Sequence, residues 1–540
     1  MSRMLRASAI MAAGTLVSRV TGFVRTMVLA SAIGVTALGD AYNVAYNIPY
    51  VLLDLLLTGV LSSVVVPMIV RAQQQDADGG RAYEQRLISI AAVALAVVAT
   101  IAVLAAPYLV GIYTTEWSEG DREVAVTLAR FILPQIAFFG VGAIAGAILN
   151  TRDRFAAPMW APVINNLVVI GLLFAYIAVS TARGDITKAT DTDLAILGLG
   201  TTAGIVAQAI VLIIALKRTG FSFRPRLDVW NAKLGEMGRM AVWTFGYIII
   251  VQLGLLLTTN LATAASKIAA SEGIEHGVGY TPYMLGFQLF QLPYGIIGVS
   301  VITAMLPRMS RAANEGRLDD IRSEFASGVR LISAVMVPAS LMLMVLGPAI
   351  TVPIYAHGAT SVESAIYIGN VLQVFGLALV PFSIFQLLLR VFYSFGDTRT
   401  PVFVGTGTTA CNVVISLAAF YTLPARYAVM GLAFAYAATY GIGAVAAWNM
   451  ASRRVQGLGG WAVGSALTRM YLAALPTAVL SLATVWGVQQ LFGGLSLINS
   501  LIILTVGVVL GGALYLFIAH RMRIPEVNSI VGLVAGRVGR

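Results

Sequence analysis

The sequence predicts an all-α polytopic membrane protein: fourteen transmembrane helices, arranged as two pseudo-symmetric six-helix bundles around a central cavity, with two further helices towards the C-terminus. Three observations predict it: the composition, the placement of the basic residues, and a repeat along the chain. Of 540 residues, 58% are hydrophobic and 11% charged, with a mean hydropathy of +0.86. Soluble domains carry about 25% charged residues. Apolar windows of about 20 residues, enough to cross the hydrocarbon layer, centre in 7–33, 41–70, 87–113, 124–149, 158–180, 193–216, 240–265, 279–306, 326–350, 363–393, 401–422, 428–451, 467–490 and 497–519. The first window is too long for a signal-peptide core and lacks a cleavage site of small residues, so it reads as a retained span.

Basic residues test the count, because Lys and Arg gather in cytoplasmic loops. With the N-terminus inside, inside segments hold 25 of the 35 Lys and Arg and outside loops hold five, Arg122, Arg183, Lys188, Lys267 and Arg426. An even number of spans places both termini in the cytoplasm. The net charge of +11 is thus distributed over many short loops; nucleic-acid binding needs it on one soluble surface, and no nucleic-acid partner is expected. No loop exceeds about 30 residues, too few for a soluble domain. Cys411 is the single cysteine, which excludes an intramolecular disulfide framework, and His276, His357 and His520 have no metal-ligand spacing. No metal site and no organic cofactor are expected.

The repeat has an offset of six spans. "PMIVRA" (67–72) closes the second span and "PRMSRAA" (307–313) the eighth; "NTRDRFAAPMWAPVINNLVVI" follows the fourth and "FGDTRTPVFVGTGTTACNVVI" the tenth. In the latter pair a polar Arg/Asp turn leads to Pro158 or Pro401 and then to Asn165/Asn166 or Asn412. An even offset preserves orientation, so the halves are related by an axis along the membrane normal. The division expected is 1–220 and 221–455 for the two bundles, 456–524 for spans thirteen and fourteen, and 525–540 for a cytoplasmic tail.

Candidate functional residues are polar groups where hydrocarbon should be. Arg19 and Arg25 lie in the first span; each costs roughly 2.5–3.5 kcal/mol at the centre of a membrane helix, and they stand about 9 Å and about 120° apart. A water-filled cavity where guanidinium groups grip phosphate through paired N–H donors accounts for both; a structural ion pair with Asp54 or Asp40 is the alternative. In the second span Asn43, Asn47 and Asp54 give one polar face, with Tyr46 and Tyr50 nearby, while Asp40 reads equally as an N-cap. Asn260 in the seventh span and Gln288, Gln291 and Tyr294 in the eighth extend the set, and Pro293 frees backbone groups there. Small-residue runs such as "GAIAGAILN" read as close helix packing. No Walker loop, HExxH or Ser-His-Asp arrangement occurs in a suitable context, so no catalytic residue is assigned.

The opening "TLVSRVTGFVRTMVLASAIGVTALGDAYNVAYNIPYVLLDLLLTGVLSSVVVP" resembles the MurJ (MviN) family of lipid II flippases, in the superfamily that includes multidrug and oligosaccharidyl-lipid exporters. The S-R-x-x-G-F-x-R motif at Ser18 to Arg25, the G-D-A-Y segment at Asp40, "QLPYGIIGVSVITAMLPRMS" and the "GDTRTP" turn carry the likeness, which covers essentially the whole chain. The resemblance implies transport of undecaprenyl-pyrophosphate-linked disaccharide-pentapeptide, lipid II, to the outer leaflet of a bacterial cytoplasmic membrane by alternating access. It further implies pyrophosphate ligation by Arg19 and Arg25, a lipid-tail groove at spans thirteen and fourteen, and work alongside the cell-wall synthesis machinery. Many members carry arginines where this chain has Leu53 and Gln288, and an acidic residue where it has Thr26, so the full cationic ring is absent.

Other substrate-contacting groups expected are Asp40, Asn47, Asp54, Asn260 and Gln288, with a coupling ion or the membrane potential as energy source. A multidrug or cation antiporter and an exporter of another polyprenyl-linked glycan are the competing readings on the same fold; a membrane glycosyltransferase would need an acidic residue at a substantial outer loop. The topology has a direct check. A fluorescent reporter that folds only in the cytoplasm, fused after Arg540, gives signal, and the same reporter inserted in the 183–190 loop gives none; the reverse pattern overturns the orientation.

Overall fold

The computed structural model describes residues 3–54, 65–226, 238–274 and 277–527; His276, Lys233 and the tail beyond Val527 lie outside them. Hydrocarbon offers no water to backbone N–H and C=O groups, so a spanning chain satisfies them within helices. The described residues form twenty α-helices and no strand. Among the described residues, twelve helices are long and apolar enough to cross a membrane, thirteen when a pair bent by 48°, Val362–Gly376 with Leu379–Ser394, is one span. The remaining sequence window, the second at 41–70, holds parts of two shorter helices, Ala37–Leu53 and Val66–Gln75, on either side of residues 55–64, which are outside the described set.

Packing divides the chain into two compact units: Met1–Ala264 with Gly358–Thr360, and Ala265–His357 with Ser361–Arg540. The first contains α1 (Arg3–Ile33), α2 (Ala37–Leu53), α3 (Val66–Gln75), α4 (Arg81–Leu104), α5 (Ala106–Tyr113), α6 (Glu119–Ile132), α7 (Gln135–Thr151), α8 (Ala156–Val179), α9 (Asp191–Lys217) and most of α10 (Gly238–Ser271). The second contains α11 (Tyr280–Pro293), α12 (Val299–Asn314), α13 (Leu318–Tyr355), α14 (Val362–Gly376), α15 (Leu379–Ser394), α16 (Arg399–Thr422), α17 (Ala425–Arg454), α18 (Gly460–Phe492), α19 (Leu497–Leu504) and α20 (Gly511–Arg521). The packing division falls inside α10, whereas the six-span repeat divides the sequence at 220/221.

Inside each unit, small residues let helices meet, since lipid tails give no hydrophobic drive for apolar faces to associate. Along α1, Gly14 sits against the Trp160 indole of α8, and the Asn166 amide donates to the Ser18 carbonyl at 3.1 Å and to Thr21 Oγ1 at 3.0 Å. In the second unit Ser340 Oγ donates to the Gly376 carbonyl at 2.9 Å and Thr351 Oγ1 to the Ala365 carbonyl at 2.7 Å, joining α13 to α14 by side chain to backbone bonds. The interior of that unit also holds an aromatic cluster of Phe287, Phe290, Phe375, Phe382, Tyr436 and Tyr440. After Pro293 the helix widens to a π-helical turn over Tyr294–Gly298, in keeping with a proline that lacks the N–H for the usual ladder.

The repeated polar turns share one geometry. After α7 the Arg154 N–H bonds the Leu149 carbonyl and Asp153 N–H the Asn150 carbonyl, with Asp153 at φ 56°. After α15 the Asp397 N–H bonds the Phe392 carbonyl and Gly396 N–H the Tyr393 carbonyl, with Gly396 at φ 71°. Each is a Schellman ending with its left-handed residue in the same place. Burial raises the Asp397 carboxyl, but the Thr400 N–H and hydroxyl, the Arg399 N–H and the nearby Arg454 outweigh it and hold its pKa below the usual carboxylate range. Its stabilising contribution is therefore present above the ordinary carboxyl value of about 3.9 and is lost as pH falls through the lowered one.

Between α13 and α14, residues 358–360 belong to the first unit. Ala359 N–H donates to the Ser31 carbonyl at 2.8 Å and Thr360 Oγ1 to the Ala30 carbonyl at 2.7 Å, serving the last turn of α1, where the Ala30 carbonyl also accepts from the Gly34 N–H at 3.0 Å. Gly358 has φ +61°, and a Cβ there would lie 2.3 Å from the Ser31 oxygen. Gly358→Ala is therefore expected to lower the thermal melting point of the detergent-solubilised protein, the left-handed conformation alone costing roughly 1–2 kcal/mol. Asp153→Gly, at a left-handed site, is expected to leave it level or raise it; a fall in the Asp153→Gly variant would contradict the Schellman assignment.

Candidate functional site

The site grows from the crossing of α1 and α2 in the first unit. Tyr42, Tyr46 and Tyr50 recur every four residues and so stack along one side of α2, with ring centroids 5.9 and 4.8 Å apart. Arg25 meets this ladder at its middle: Nη2 donates to the Tyr46 hydroxyl at 3.0 Å, and the guanidinium carbon is 5.5 Å from the ring centroid. The Tyr46 and Tyr50 hydroxyls bond each other at 2.8 Å, and Tyr42 shares a 2.6 Å bond with Thr201 of α9. One phenol, through its hydroxyl and its π-face, thus holds the cation while leaving its charge unneutralised. Arg19 is exposed and makes no hydrogen bond or ion pair among the described residues.

The alternative ion pair is not formed: no carboxylate lies within salt-bridge reach of Arg19 or Arg25 among the described residues. Asp54 instead accepts from the Gln252 amide of α10 at 3.1 Å. Asp40 is fully buried and partnered, and it is not an N-cap; Thr36 occupies the N-cap position without a side-chain capping bond, placing Asp40 inside the first turn. Asn47 is half-buried beside Tyr46, with a buried Nδ2 lacking a hydrogen-bond partner. Asn260 is committed to packing, donating to the Ile112 carbonyl at 3.0 Å and to Thr115 Oγ1 at 3.2 Å. Gln288, half-buried and partnered on α11, belongs to the second unit. Sequence reading gave weight to the asparagines of α2; the residue that takes hold of Arg25 is Tyr46, the middle of three tyrosines whose i, i+4, i+8 spacing was the available signal.

A cavity of about 790 Å³ opens in the first unit, lined by the end of α2 (Tyr50, Leu53, Asp54), by α7 (Phe139 to Thr151) and by Gln208 of α9, among others. Gly142, Ala143, Gly146 and Ala147 form one wall. The "GAIAGAILN" stripe therefore does more than pack helices: Gly142 lies beside Leu212 and Ala209 and Gly146 beside Pro158, while the same residues line this space. Leu53 stands at the wall and gives it an apolar surface.

Below the cavity lies a buried charge network that sequence reading missed. Glu84 of α4, with no exposed surface, is ion-paired with Arg152 and accepts from Gln73 at 2.9 Å; Gln73 also donates to Thr151 Oγ1 at 3.0 Å, and Arg152 to Thr219 Oγ1 at 2.8 Å. Four segments, α3, α4, the α7–α8 turn and the end of α9, are thereby tied at one end of the unit. Both charges are isolated in sequence, 68 residues apart, and each reads alone as an ordinary loop charge. Arg152→Met, leaving the Glu84 carboxylate buried and uncompensated, is expected to destabilise the protein by about 3–5 kcal/mol, read as a fall in melting temperature or in folded yield. Restoration by Glu84→Gln in the same chain is expected; an unchanged single variant would contradict the network.

A family profile described as lipid II flippase MurJ matches residues 29–507. The probable lipid II flippase MurJ of Rhizobium meliloti (strain 1021) is 28% identical over 418 residues, 76% of this chain and 74% of that protein. The probable lipid II flippase MurJ of Rhizobium tropici is 24% identical over 523 residues, 96% and 94% of the two chains. Among solved structures, a lipid II flippase MurJ in an inward closed conformation superposes with a TM-score of 0.72 at 18% identity, over 95% of this chain and 99% of that one. An inward-facing multidrug resistance MATE family transporter of the MOP superfamily gives 0.59 at 14% identity, over 80% and 94%.

Proposed function

Because the chain belongs to the lipid II flippase MurJ family, we propose that it carries the undecaprenyl-pyrophosphate-linked peptidoglycan precursor from the inner to the outer leaflet of the bacterial cytoplasmic membrane by alternating access. The observation that carries the proposal is Arg25: a guanidinium within a membrane span, held by Tyr46 through one N–H and a ring face and countered by no carboxylate among the described residues. Its other N–H groups suit the paired oxygens of a phosphate, and Arg19 adds a second cation on the same helix. An antiporter of cations on this fold would place carboxylates where this chain places a cation and phenols.

The energetics fit a carrier without an organic cofactor. A pyrophosphate held by two arginines is close to electroneutral, so the loaded protein moves little charge; the empty protein exposes two positive charges. Each is drawn towards the negative cytoplasmic side by about 2.3 kcal/mol per 100 mV, which resets the carrier inward. Both termini lie in the cytoplasm in this reading, no chemical bond is made or broken, and the cell-wall synthases that consume the precursor are the natural partners.

The test is accessibility of the precursor. Depleting the protein in a host without a second flippase is expected to shield the lipid-linked precursor from an externally added enzyme that cleaves it, and wild-type protein is expected to restore cleavage. Arg25→Ala and Arg19→Ala are expected to fail, and Arg25→Lys, which keeps charge but loses the planar fork, to restore only part. Undiminished cleavage after depletion refutes the substrate; full function in both Lys variants refutes paired phosphate binding.

A further inference from the structure

We propose that α13 bends at Pro338 during the transport cycle and that Tyr515, on the last helix, is the latch that holds the bend in the conformation described here. The proposal rests on the transport reading above and adds a moving element in the second unit, away from the Arg25 site.

Pro338 lies inside α13 and has no N–H, so the carbonyl four residues earlier, that of Ala334, loses its helical partner. In a membrane span such a carbonyl has to be served by another group. Tyr515 of α20 serves it, its hydroxyl donating to the Ala334 carbonyl at 2.7 Å in a buried bond. Pro348 frees the Met344 carbonyl in the same way, and the Gln373 amide of α14 donates to that one at 2.8 Å. The two bends are held differently. Around Pro348 the Gln373 amide also reaches the Val345 carbonyl at 3.4 Å, and the Ser340 and Thr351 bonds join α13 to α14 on either side. At Pro338 the freed carbonyl depends on one phenol. A single hydrogen bond shifts an equilibrium by roughly two- to tenfold, weak enough to be made and broken within a cycle.

The helix that carries the phenol has slack built into it. α18, α19 and α20 pack on one another and, in the rest of the second unit, chiefly on α13. At one end they are fixed by apolar contact of Val488 and Ile503 with Leu346 and Ala349. At the other they are held by polar groups, the Tyr515 hydroxyl and the Arg330–Glu526 pair at 2.8 Å, beside buried Ile524 and Val527. Between the two ends lies a π-helical turn over Thr505–Leu510, where the Gly511 N–H bonds the Val506 carbonyl five residues back. No proline stands in "TVGVVLGG" to require it, unlike the turn after Pro293. The Ser481 hydroxyl of α18 stands beside this turn, buried and without a hydrogen-bond partner among the described residues; a Cβ on Gly507 or Gly511 would lie 3.3 or 3.6 Å from it. Such a turn spends one residue more per hydrogen bond than an α-turn. Re-pairing it rotates α20 by about 100° relative to α19, which takes Tyr515 off the Ala334 carbonyl, and Ser481 is the donor in reserve for a carbonyl released in the turn.

The experiment measures the bend and the flux in the same full-length protein reconstituted in vesicles. Nitroxide labels at Ser327→Cys and Leu341→Cys, with Cys411→Ser, span Pro338 at about 21 Å along the helix; flux is read as precursor made accessible to the cleaving enzyme. The otherwise unsubstituted protein is expected to show two label distances whose ratio changes when the complete precursor is added. Tyr515→Phe, which keeps the ring and removes the donor, is expected to shift that ratio by about two- to tenfold and to lower flux by a similar factor. Pro338→Ala, which returns an N–H to the Ala334 carbonyl, is expected to give one distance, an unchanged or higher melting temperature, and reduced flux. The double variant Pro338→Ala/Tyr515→Phe leaves the Ala334 carbonyl partnered within its helix, and is expected to melt like wild type and still transport poorly; a phenol that merely satisfied a carbonyl would let it transport normally. One distance in the unsubstituted protein with and without precursor, or wild-type flux in folded Pro338→Ala, overturns the latch. Wild-type vesicles that move no precursor overturn the transport reading itself, and with it the role of the bend in transport.

Discussion

A guanidinium inside a membrane span has to be held without being neutralised, and the first unit is organised around that constraint. An aspartate opposite Arg25 would have been the cheaper partner electrostatically, and it would have left nothing for a ligand. Phenols satisfy one N–H and offer a π-face to the cation, yet carry no charge of their own. The ladder needs three tyrosines because each hydroxyl at that depth needs a partner in turn: Tyr46 bonds Tyr50, and Tyr42 finds Thr201 on α9. Fixing α2 by these contacts also fixes the cavity that begins at Tyr50.

The same economy of partners governs the rest of the unit. Where helices pack, glycine and serine bring backbones close enough for side chain to carbonyl bonds, as with Asn166 against Ser18. Where a charge is buried for structure and not for ligand binding, it is paired outright, as Glu84 is with Arg152. Arg25 and Glu84 are thus opposite solutions to one problem, and the presence or absence of a counter-charge tells them apart.

Much of the architecture was legible in sequence because the signals were local. Hydropathy windows and loop charges depend on neighbours within about twenty residues, and the repeated turn after α7 and α15 was visible as a repeated polar string before its shared Schellman geometry was known. What could not be read was pairing over long separations. Asn260 looks like a free polar group until α10 is placed beside Ile112 and Thr115, some 145 residues away. The Arg25 partner is a similar case: charge alone suggests Asp40 or Asp54, and only the crossing of α1 and α2 selects Tyr46. The stripe on α7 gave the right residues and half the purpose, since a run of small side chains marks a tight contact or a hollow depending on what stands opposite.

Residues 358–360 give the molecule a topology that a two-bundle description hides. The chain passes from one compact unit to the other at 264/265, again at 357/358 and back at 360/361. Two fragments produced by cutting at the first passage would therefore not correspond to two self-contained units: the N-terminal fragment would lack the three residues that serve the carbonyls of Ala30 and Ser31, and the C-terminal fragment would carry them without the helix end they bind. During synthesis the first unit likewise stays incomplete until residues 358–360 emerge, well after the end of its last helix at Ser271.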